Sequence, residues 1–467
     1  MENSTLRSLH WDLSLQRSFS RCISRRSGGD IPALKRRLIC LLPLWLIAAG
    51  CPGRLLFAQQ TPAQQPQESY TWQQIKDKFE ATNPTLRAGQ LNIDESRAQE
   101  VTAGLRPNPD LSYSMDGTQL TPHLGVYRPF AGTQMSPAIS YLHERANKRE
   151  LRLESAKKGT TIAASQQQDL ERNLLFNLRN AFVQTLQAKA VLGVAKENLN
   201  YYDRVIEIGR TQLKAGDIAQ VDLDRLELQR VQYEQELESA DVNLRTAKIT
   251  LLMLLNDRTP IDRFDVTGTF DFGGPLESLD DYHRIALAAR PDLRAALESV
   301  DKAKTDHQLA VSNGSTDPTF SAWWTHNPSF NNPYDYNTIG ASVSIPLRIF
   351  DRNQGEKERT EIDIRRNQRL EDAAAAQVFS DVDSAYAAVN SNLNLLRPYK
   401  EKYLGQALRV RDTITFAYQR GGASLLDFLN AQNDYRTVQL SYLNLVGSYL
   451  TAVGQLNLAV GREVILQ

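Results

Sequence analysis

The sequence predicts an α+β membrane protein in which pairs of membrane-sized β-strands alternate with very long antiparallel α-helical hairpins. Three observations predict it. The two halves of the chain repeat one another, four short segments alternate in apolar and small or polar residues, and apolar positions recur at coiled-coil spacing over long uninterrupted runs. The repeat is read from matched motifs. Asn83-Pro84-Thr85-Leu86-Arg87 returns as Arg290-Pro291-Asp292-Leu293-Arg294, and Pro107-Asn108-Pro109 before a strand returns as Asp317-Pro318 before another. The run Gly216-Asp217-Ile218-Ala219-Gln220-Val221-Asp222 returns as Gly421-Gly422-Ala423-Ser424-Leu425-Leu426-Asp427.

In chain order, residues 1–50 read as a leader with a long N-terminal extension. Lys35-Arg36-Arg37 precede an apolar run over residues 38–49, the charged and hydrophobic regions of a secretory signal, too short to span a bilayer comfortably. The run ends in Ala48-Ala49-Gly50-Cys51, which resembles a lipobox with Cys51 as the acylated residue; cleavage after Ala58 is the rival. Residues 51–69 form a Gln/Pro-rich linker, residues 70–260 the first repeat and residues 261–467 the second.

The first strand pair falls at about 110–142 and the second at about 319–347. Leu111, Tyr113 and Met115 alternate with Ser112, Ser114 and Asp116; Met135, Pro137, Ile139 and Tyr141 take the apolar side of the next segment. Phe320, Ala322 and Trp324 alternate with Thr319, Ser321 and Trp323, a poorer match, and Ile339, Ala341, Val343 and Ile345 complete the set. Each is near the length of a tilted transmembrane strand, although a soluble sheet with one wet face reads the same way. The helices decide between them. Leu178, Ala181, Thr185, Ala188, Leu192, Ala195, Leu199, Tyr202, Ile206, Gly209 and Leu213 step by threes and fours. After Gly216 the seam resumes as Leu226, Arg230, Tyr233, Leu237, Ala240, Leu244, Ala247, Leu251 and Leu254, with Arg230 the misfit. Helix from about residue 144 to 215 would run on the order of 100 Å, and Gly216 suits a left-handed cap at which the chain doubles back. The second copy does the same from about 356 to 459, turning at Gly421-Gly422, with a break or kink at Pro398. Each half is thus a short helix, a strand pair and a long hairpin. Four strands cannot close a barrel and lipid tolerates no open edge, so chains must pool strands; two give eight and three give twelve.

At this point the chain resembles the TolC family of outer-membrane efflux proteins over residues 70–461. The matching residues are Asn83-Pro84-Thr85-Leu86, Pro107-Asn108-Pro109, the two tips, Asp427-Phe428-Leu429-Asn430-Ala431-Gln432 and Ile345-Pro346-Leu347. Ile349-Phe350-Asp351-Arg352-Asn353-Gln354-Gly355 and Lys148-Arg149 resemble its CzcC-like branch, which serves heavy-metal pumps of the resistance-nodulation-division (RND) type. The resemblance implies a homotrimer: a TolC-like twelve-stranded β-barrel, four strands per chain, set in outer-membrane lipid over a tapered coiled-coil tunnel through the periplasm. It implies docking on a periplasmic adaptor bound to the inner-membrane RND pump, and a lipid anchor agrees with Cys51. Gly216, Asp217, Gly421 and Gly422 become the tips that meet the adaptor. Asp427 becomes an acidic ring at the periplasmic constriction, favouring cations, with Asn430 where the family often has a second Asp. Asp222 and Asp224 take the matching place on the outer wall.

Other classes are excluded or weaker. Lys+Arg and Asp+Glu both number 54 and no basic stripe interleaves with aromatics, so no nucleic acid is expected. All three cysteines, Cys22, Cys40 and Cys51, are N-terminal, leaving the rest without disulfides or a Cys-based metal site. His10, His123, His143, His283, His307 and His326 lack ligand spacing, Asp280-Asp281 and Glu371-Asp372 read as solvated charges, and no enzyme motif occurs. No catalytic residue, resident metal or cofactor is expected. Only four methionines argue against a Met relay for copper or silver. The alternatives are the duct of a multidrug-efflux or type I protein-secretion system and, from another class, a structural coiled-coil lipoprotein bridging membrane and wall.

Overall fold

The computed structural model describes residues 68–465 except 123, 131, 275 and 328–336. The leader, Cys51, Ala58 and the linker up to residue 67 lie outside the described residues, as do His10, His123 and most of the loop before residue 337.

Each half opens with two helices, where one short helix was expected. In the first they are α1 (Trp72–Thr82) and α2 (Pro84–Gly104), in the second α5 (Leu279–Ala289) and α6 (Pro291–Asn313). The repeated proline motif is the joint between them. Asn83 caps α2, its side chain accepting from the amides of Thr85 and Leu86, with Pro84 in the first turn where no donor is missed. At the second joint Arg290 caps nothing with its side chain. Instead its buried guanidinium grips Asp292 bidentately (3.0 and 2.5 Å), Asp381 (2.7 Å) and the Ala459 carbonyl (3.2 Å), tying α6 to two later helices.

The strands follow: β2 (Asp110–Asp116) and β3 (Gln134–Leu142) in the first half, β5 (Thr319–His326) and β6 (Asn337–Ser344) in the second. They form one antiparallel sheet in the order β2-β3-β5-β6. Its register aligns Leu111 with Ile139, Ile139 with Ala322, and Ala322 with Ala341, so one face is apolar from edge to edge. Leu111 and Ile339 on that face are 82% and 85% exposed, an apolar surface that a single chain leaves uncovered. Trp323, the misfit in the alternation, lies on the opposite face against Gly340 of the next strand, where a Cβ would come within 2.4 Å of the indole. The glycine is the space the ring occupies.

From the sheet the chain enters α3 (Lys148–Ala215), 68 residues in one helix, and returns as α4 (Gln220–Leu254). The helix starts at Lys148 rather than near 144 because Ala146 and Asn147 take left-handed backbone (φ 57° and 56°) at the strand exit. The seam reads as the spacing requires: Leu178, Ala181, Thr185, Leu192, Ala195, Tyr202, Ile206 and Gly209 are buried on α3, and Leu226, Tyr233, Ala240 and Leu251 on α4. Arg230, the seam misfit, reaches across the hairpin to Asp203 (2.5 Å) and along its own helix to Glu234.

The second hairpin is α7 (Gln354–Pro398), a π turn over Tyr399–Tyr403, α8 (Leu404–Gln419) and α9 (Leu425–Val460). At Pro398, where a break or kink was expected, the helix continues through one widened π turn. The turn follows the proline directly and is closed by the Leu404 amide on the Tyr399 carbonyl. Val378, Val382 and Val389 of α7 pack on Val446, Tyr449 and Val453 of α9.

An unforeseen clasp joins the halves. Residues Glu68–Tyr70 form β1, which pairs in parallel with β4 (Phe264–Val266), so the linker ends two residues earlier than its composition suggested. Phe264 and Val266 are buried with Ile75, Phe79, Leu178 and Leu251, each such side chain contributing about 1.5–3 kcal/mol. Between them, burial works to raise the Asp265 carboxyl. The hydrogen bond from Lys189 (2.5 Å) and the charge of Lys248 (3.2 Å) outweigh it and hold Asp265 below the usual carboxylate range.

Gly340→Val should clash with Trp323 and cost about 1–3 kcal/mol by overpacking. Thermal unfolding of the detergent-solubilised protein should show a lowered midpoint, recovered in Gly340→Val/Trp323→Ala. An unchanged midpoint in the single variant would mean that the ring is free to leave.

Candidate functional site

The two hairpin tips have one backbone solution. Gly216 (φ 85°) and Gly421 (φ 73°) are left-handed, and the residue after each closes the preceding helix. The Asp217 amide donates to the Gln212 carbonyl (2.9 Å) and the Gly422 amide to that of Ala417 (2.8 Å). Gly216, Asp217, Gly421 and Gly422 are all exposed, and a Cβ added at Gly216 or Gly421 would meet nothing within 4 Å. What selects glycine there is the sign of φ, not lack of room.

Just behind the tips the hairpins pack on each other. Tyr202, Val205, Ile206, Leu223 and Leu226 of the first share a core with Tyr418, Leu425 and Phe428 of the second. The Tyr418 and Phe428 rings stack at 5.0 Å. Burial raises the Tyr202 and Tyr418 hydroxyls above their ordinary pKa. A polar clasp follows, which sequence reasoning missed: Gln432 Nε2 donates to the Tyr201 hydroxyl (3.3 Å) and Thr415 Oγ1 (3.2 Å), and Arg436 pairs with Glu236 (2.5 Å). Arg411 lies between the Tyr201 and Tyr435 rings at 5.0 and 4.2 Å.

The motif Asp427-Phe428-Leu429-Asn430-Ala431-Gln432 therefore has two faces. Phe428, Ala431 and Gln432 are buried against the other hairpin, while Asp427 and Asn430 are exposed together. Asp434, unremarked in the sequence, continues the exposed face at helical spacing. Asp427 also has a local task. Ser424 Oγ (2.7 Å) and the Ser424 amide (3.2 Å) donate to its carboxylate, and the Asp427 amide donates back to Ser424 Oγ (3.1 Å), a capping box at the start of α9. The Ser424 hydroxyl and amide hold the Asp427 carboxyl below the usual range. Asp222, in the same place of the first copy, has no such partner, because Ala219 stands where Ser424 does. Asp224 accepts from Gln220 (2.8 Å) on α4, and Arg225 beside it is exposed.

The remaining motif residues do structural work at the foot of the sheet. Lys148 is buried, its ammonium on Asp317 (2.6 Å) and the Ser315 carbonyl (2.9 Å). Asn353 starts α7 in left-handed backbone and donates to the Ala310 carbonyl (2.7 Å). These residues turn strand into helix and touch no tip. Among the described residues, no group of three or more His, Cys, Asp or Glu is placed to hold a metal ion, and no helix is long and apolar enough to cross a membrane.

A duplicated strand-pair and helical-hairpin unit with an uncovered apolar sheet defines a class of envelope channel proteins. The outer membrane efflux protein family matches residues 77–257 and 283–462, and the chain belongs to that family. It is 23% identical over 373 residues to the cobalt-zinc-cadmium resistance protein CzcC of Cupriavidus metallidurans, covering 77% of this chain and 82% of that one. It is 24% identical over 386 residues to the pyoverdine export outer membrane protein OpmQ of Pseudomonas aeruginosa (76% and 77% covered). The fold matches the solved CusC with a TM-score of 0.71 at 17% identity, covering 84% of this chain and 92% of CusC. It matches the Campylobacter jejuni CmeC outer membrane channel with 0.69 at 15% (84% and 87%). The protein is a TolC-like outer-membrane efflux channel protein and not an enzyme.

Ser424→Ala should loosen the first turn of α9 and return Asp427 toward its ordinary pKa. Because the folded-state value is the lowered one, the cap's contribution is present above the unfolded carboxylate pKa, about 3.9, and is lost as pH falls through the folded value. Hydrogen-exchange protection factors at residues 425–428 should be lower in Ser424→Ala at neutral pH, and wild type should approach them in acid. Equal protection at neutral pH would show that the box does not hold the turn.

Proposed function

We propose that three copies of the chain form the passive exit duct of a tripartite efflux machine, carrying heavy-metal cations from an inner-membrane RND pump and its periplasmic adaptor to the exterior. The observation that carries the proposal is the open sheet. β3 and β5 are paired on both sides, while β2 and β6 each have one partner. Strand directions alternate across the sheet, so β6 of one copy runs antiparallel to β2 of the next and copies can add around a ring. Four strands do not close; twelve from three chains make a barrel whose apolar face meets lipid. The helical wall supports the same reading. On α4, Val221, Leu228, Val242 and Ile249 stand at multiples of seven residues, each more than half exposed, a seam that no described residue of the chain covers.

In the assembled duct the long hairpins extend into the periplasm and the tips at Gly216-Asp217 and Gly421-Gly422 meet the adaptor. Asp427, with Asn430 a turn later, forms the threefold constriction, and Cys51 carries a lipid anchor. Similarity to CzcC supports the metal cargo. The nearly equal similarity to OpmQ supports a second reading, in which the cargo is an organic compound such as a siderophore or drug. The apolar sheet favours either over a coiled-coil lipoprotein bridging membrane and wall, which needs no such face.

Gly421→Leu should leave trimers in the outer membrane yet abolish export, because a leucine at φ 73° deforms the docking turn. Complementing a deletion strain with wild type and variant, and scoring cobalt, zinc and cadmium tolerance beside drug tolerance, reads both the docking and the cargo. Full export by the variant would overturn the docking role, and restored drug tolerance alone would overturn the metal cargo.

Asp427→Ala should raise single-channel conductance in planar bilayers or weaken block by multivalent cations. Unchanged conductance and block would remove Asp427 from the constriction.

A further inference from the structure

The foot of the sheet carries side chains that its turns do not use. Leu105-Arg106 precede β2, Arg145 follows β3, and Leu347-Arg348-Ile349-Phe350-Asp351-Arg352 follow β6. The register sets these three strand ends side by side: Asp110 pairs with Ser140, and Leu142 with Thr319, which in turn pairs with Ser344. Phe350 is 90% and Leu347 79% exposed, and Leu105 and Ile349 are more than half exposed. The joint from strand to helix is made by Asn147, Asn353 and the Lys148–Asp317 pair. Packing within the described chain therefore leaves a belt of large apolar side chains unexplained.

The charges beside it do not balance. Over residues 105–110, 142–152, 315–318 and 345–359, Lys148 pairs with Asp317, Arg149 with Glu150, Arg152 with Glu144 and Arg359 with Glu356. Arg106, Arg145, Arg348, Arg352 and Lys357 have no carboxylate at ion-pair distance among the described residues, and only Asp110, Asp351 and Glu358 remain to oppose them. Arg106, Arg145 and Arg352 are exposed. Apolar side chains that can enter an acyl layer, beside guanidinium groups that can meet phosphate, form a surface that holds an anionic lipid at headgroup level. Irregular backbone such as residues 345–353 is tolerated at that level because water still reaches it.

We propose that this belt is a binding site for anionic phospholipid. Arg106, Arg145 and Arg352 take the headgroup phosphate, and Leu105, Leu347 and Phe350 enter the acyl boundary. The belt continues the uncovered apolar face of the sheet at the level where strands give way to helices, which selects a lipid phosphate over a soluble one. The proposal rests on the reading that the sheet spans the outer membrane. It does not depend on the cargo of the duct.

The test reconstitutes the full chain in phosphatidylcholine vesicles containing a trace of spin-labelled phosphatidylglycerol or spin-labelled phosphatidylcholine. The motionally restricted fraction of the electron paramagnetic resonance spectrum measures lipid held at the protein surface. The anionic label should associate at least about threefold more strongly than the zwitterionic one, and molar sodium chloride should lower that ratio. Arg106→Gln/Arg352→Gln should bring the ratio toward equality with the oligomeric state on native gels unchanged. Neither side chain has a described hydrogen bond or ion pair, so the fold does not rest on them, and Arg145→Gln gives a second variant on the same ground. A restricted fraction equal for both labels would overturn the site while leaving the sheet in the bilayer. No restricted fraction for either label would overturn the membrane reading and the site with it. Displacement of the anionic label by inorganic phosphate beyond that by chloride at equal ionic strength would overturn the lipid source. Dissociation of the copies in the double variant, with the lipid preference intact, would assign the belt to contact between copies and overturn it as a lipid site.

Discussion

A strand that meets lipid cannot leave its backbone donors and acceptors without partners, and the rest of this structure depends on that constraint. A single chain satisfies it for β3 and β5 and leaves one side of β2 and one of β6 unpaired. In the proposed trimer the remedy comes from another copy, and once strands are shared the helices that leave them share a wall as well. The exposed heptad positions of α4 suit that proposed wall along the hairpin. The foot of the sheet is where sharing is hardest, because each strand exit must turn sharply into a helix aligned with its neighbours. There the chain places left-handed Asn147 and Asn353 and buries the Lys148–Asp317 pair. Breaking one partner of a buried pair leaves the other charge unmet, so this joint resists change.

Periodicity made most of the frame legible. Seams at three-and-four spacing become buried faces because a helix has no other way to place them, and the alternating strands set the sheet's apolar face for the same reason. What stayed hidden was short or long-range. The three-residue strands β1 and β4 carry no periodic signal, and their pairing joins positions separated by the whole first half of the chain. Trp323 read as a fault in its strand because the compensating gap, Gly340, sits on another strand. At the tips, the exposure of Asp427 and Asn430 follows from their spacing relative to Phe428 and Ala431. The clasp from Gln432 to Tyr201 spans 231 positions and no local pattern could announce it. The Ser424-x-x-Asp427 box, by contrast, is local and carries a helix-start signature in the sequence itself.

The two copies share a backbone and differ in what they ask of one aspartate. In the first, Ala219 offers no hydroxyl and Asp222 is half-buried near Tyr418. In the second, Ser424 takes hold of Asp427. The capping task leaves Asp427 able to take the proposed place in a cation-selective ring. Both hydrogen bonds from Ser424 fall on Oδ2, and among the described residues Oδ1 has no protein donor, so it keeps its lone pairs for water or a passing cation. The same bonds favour the ionised form, so the charge persists through mild acid. They also fix the side chain, and in the proposed threefold ring a fixed carboxylate would present its charge at one radius where a free one would average over several. The cap is thus the means by which an exposed aspartate on a helix end becomes a positioned charge, and the copy without a capping serine is the one whose aspartate packs toward its own chain instead.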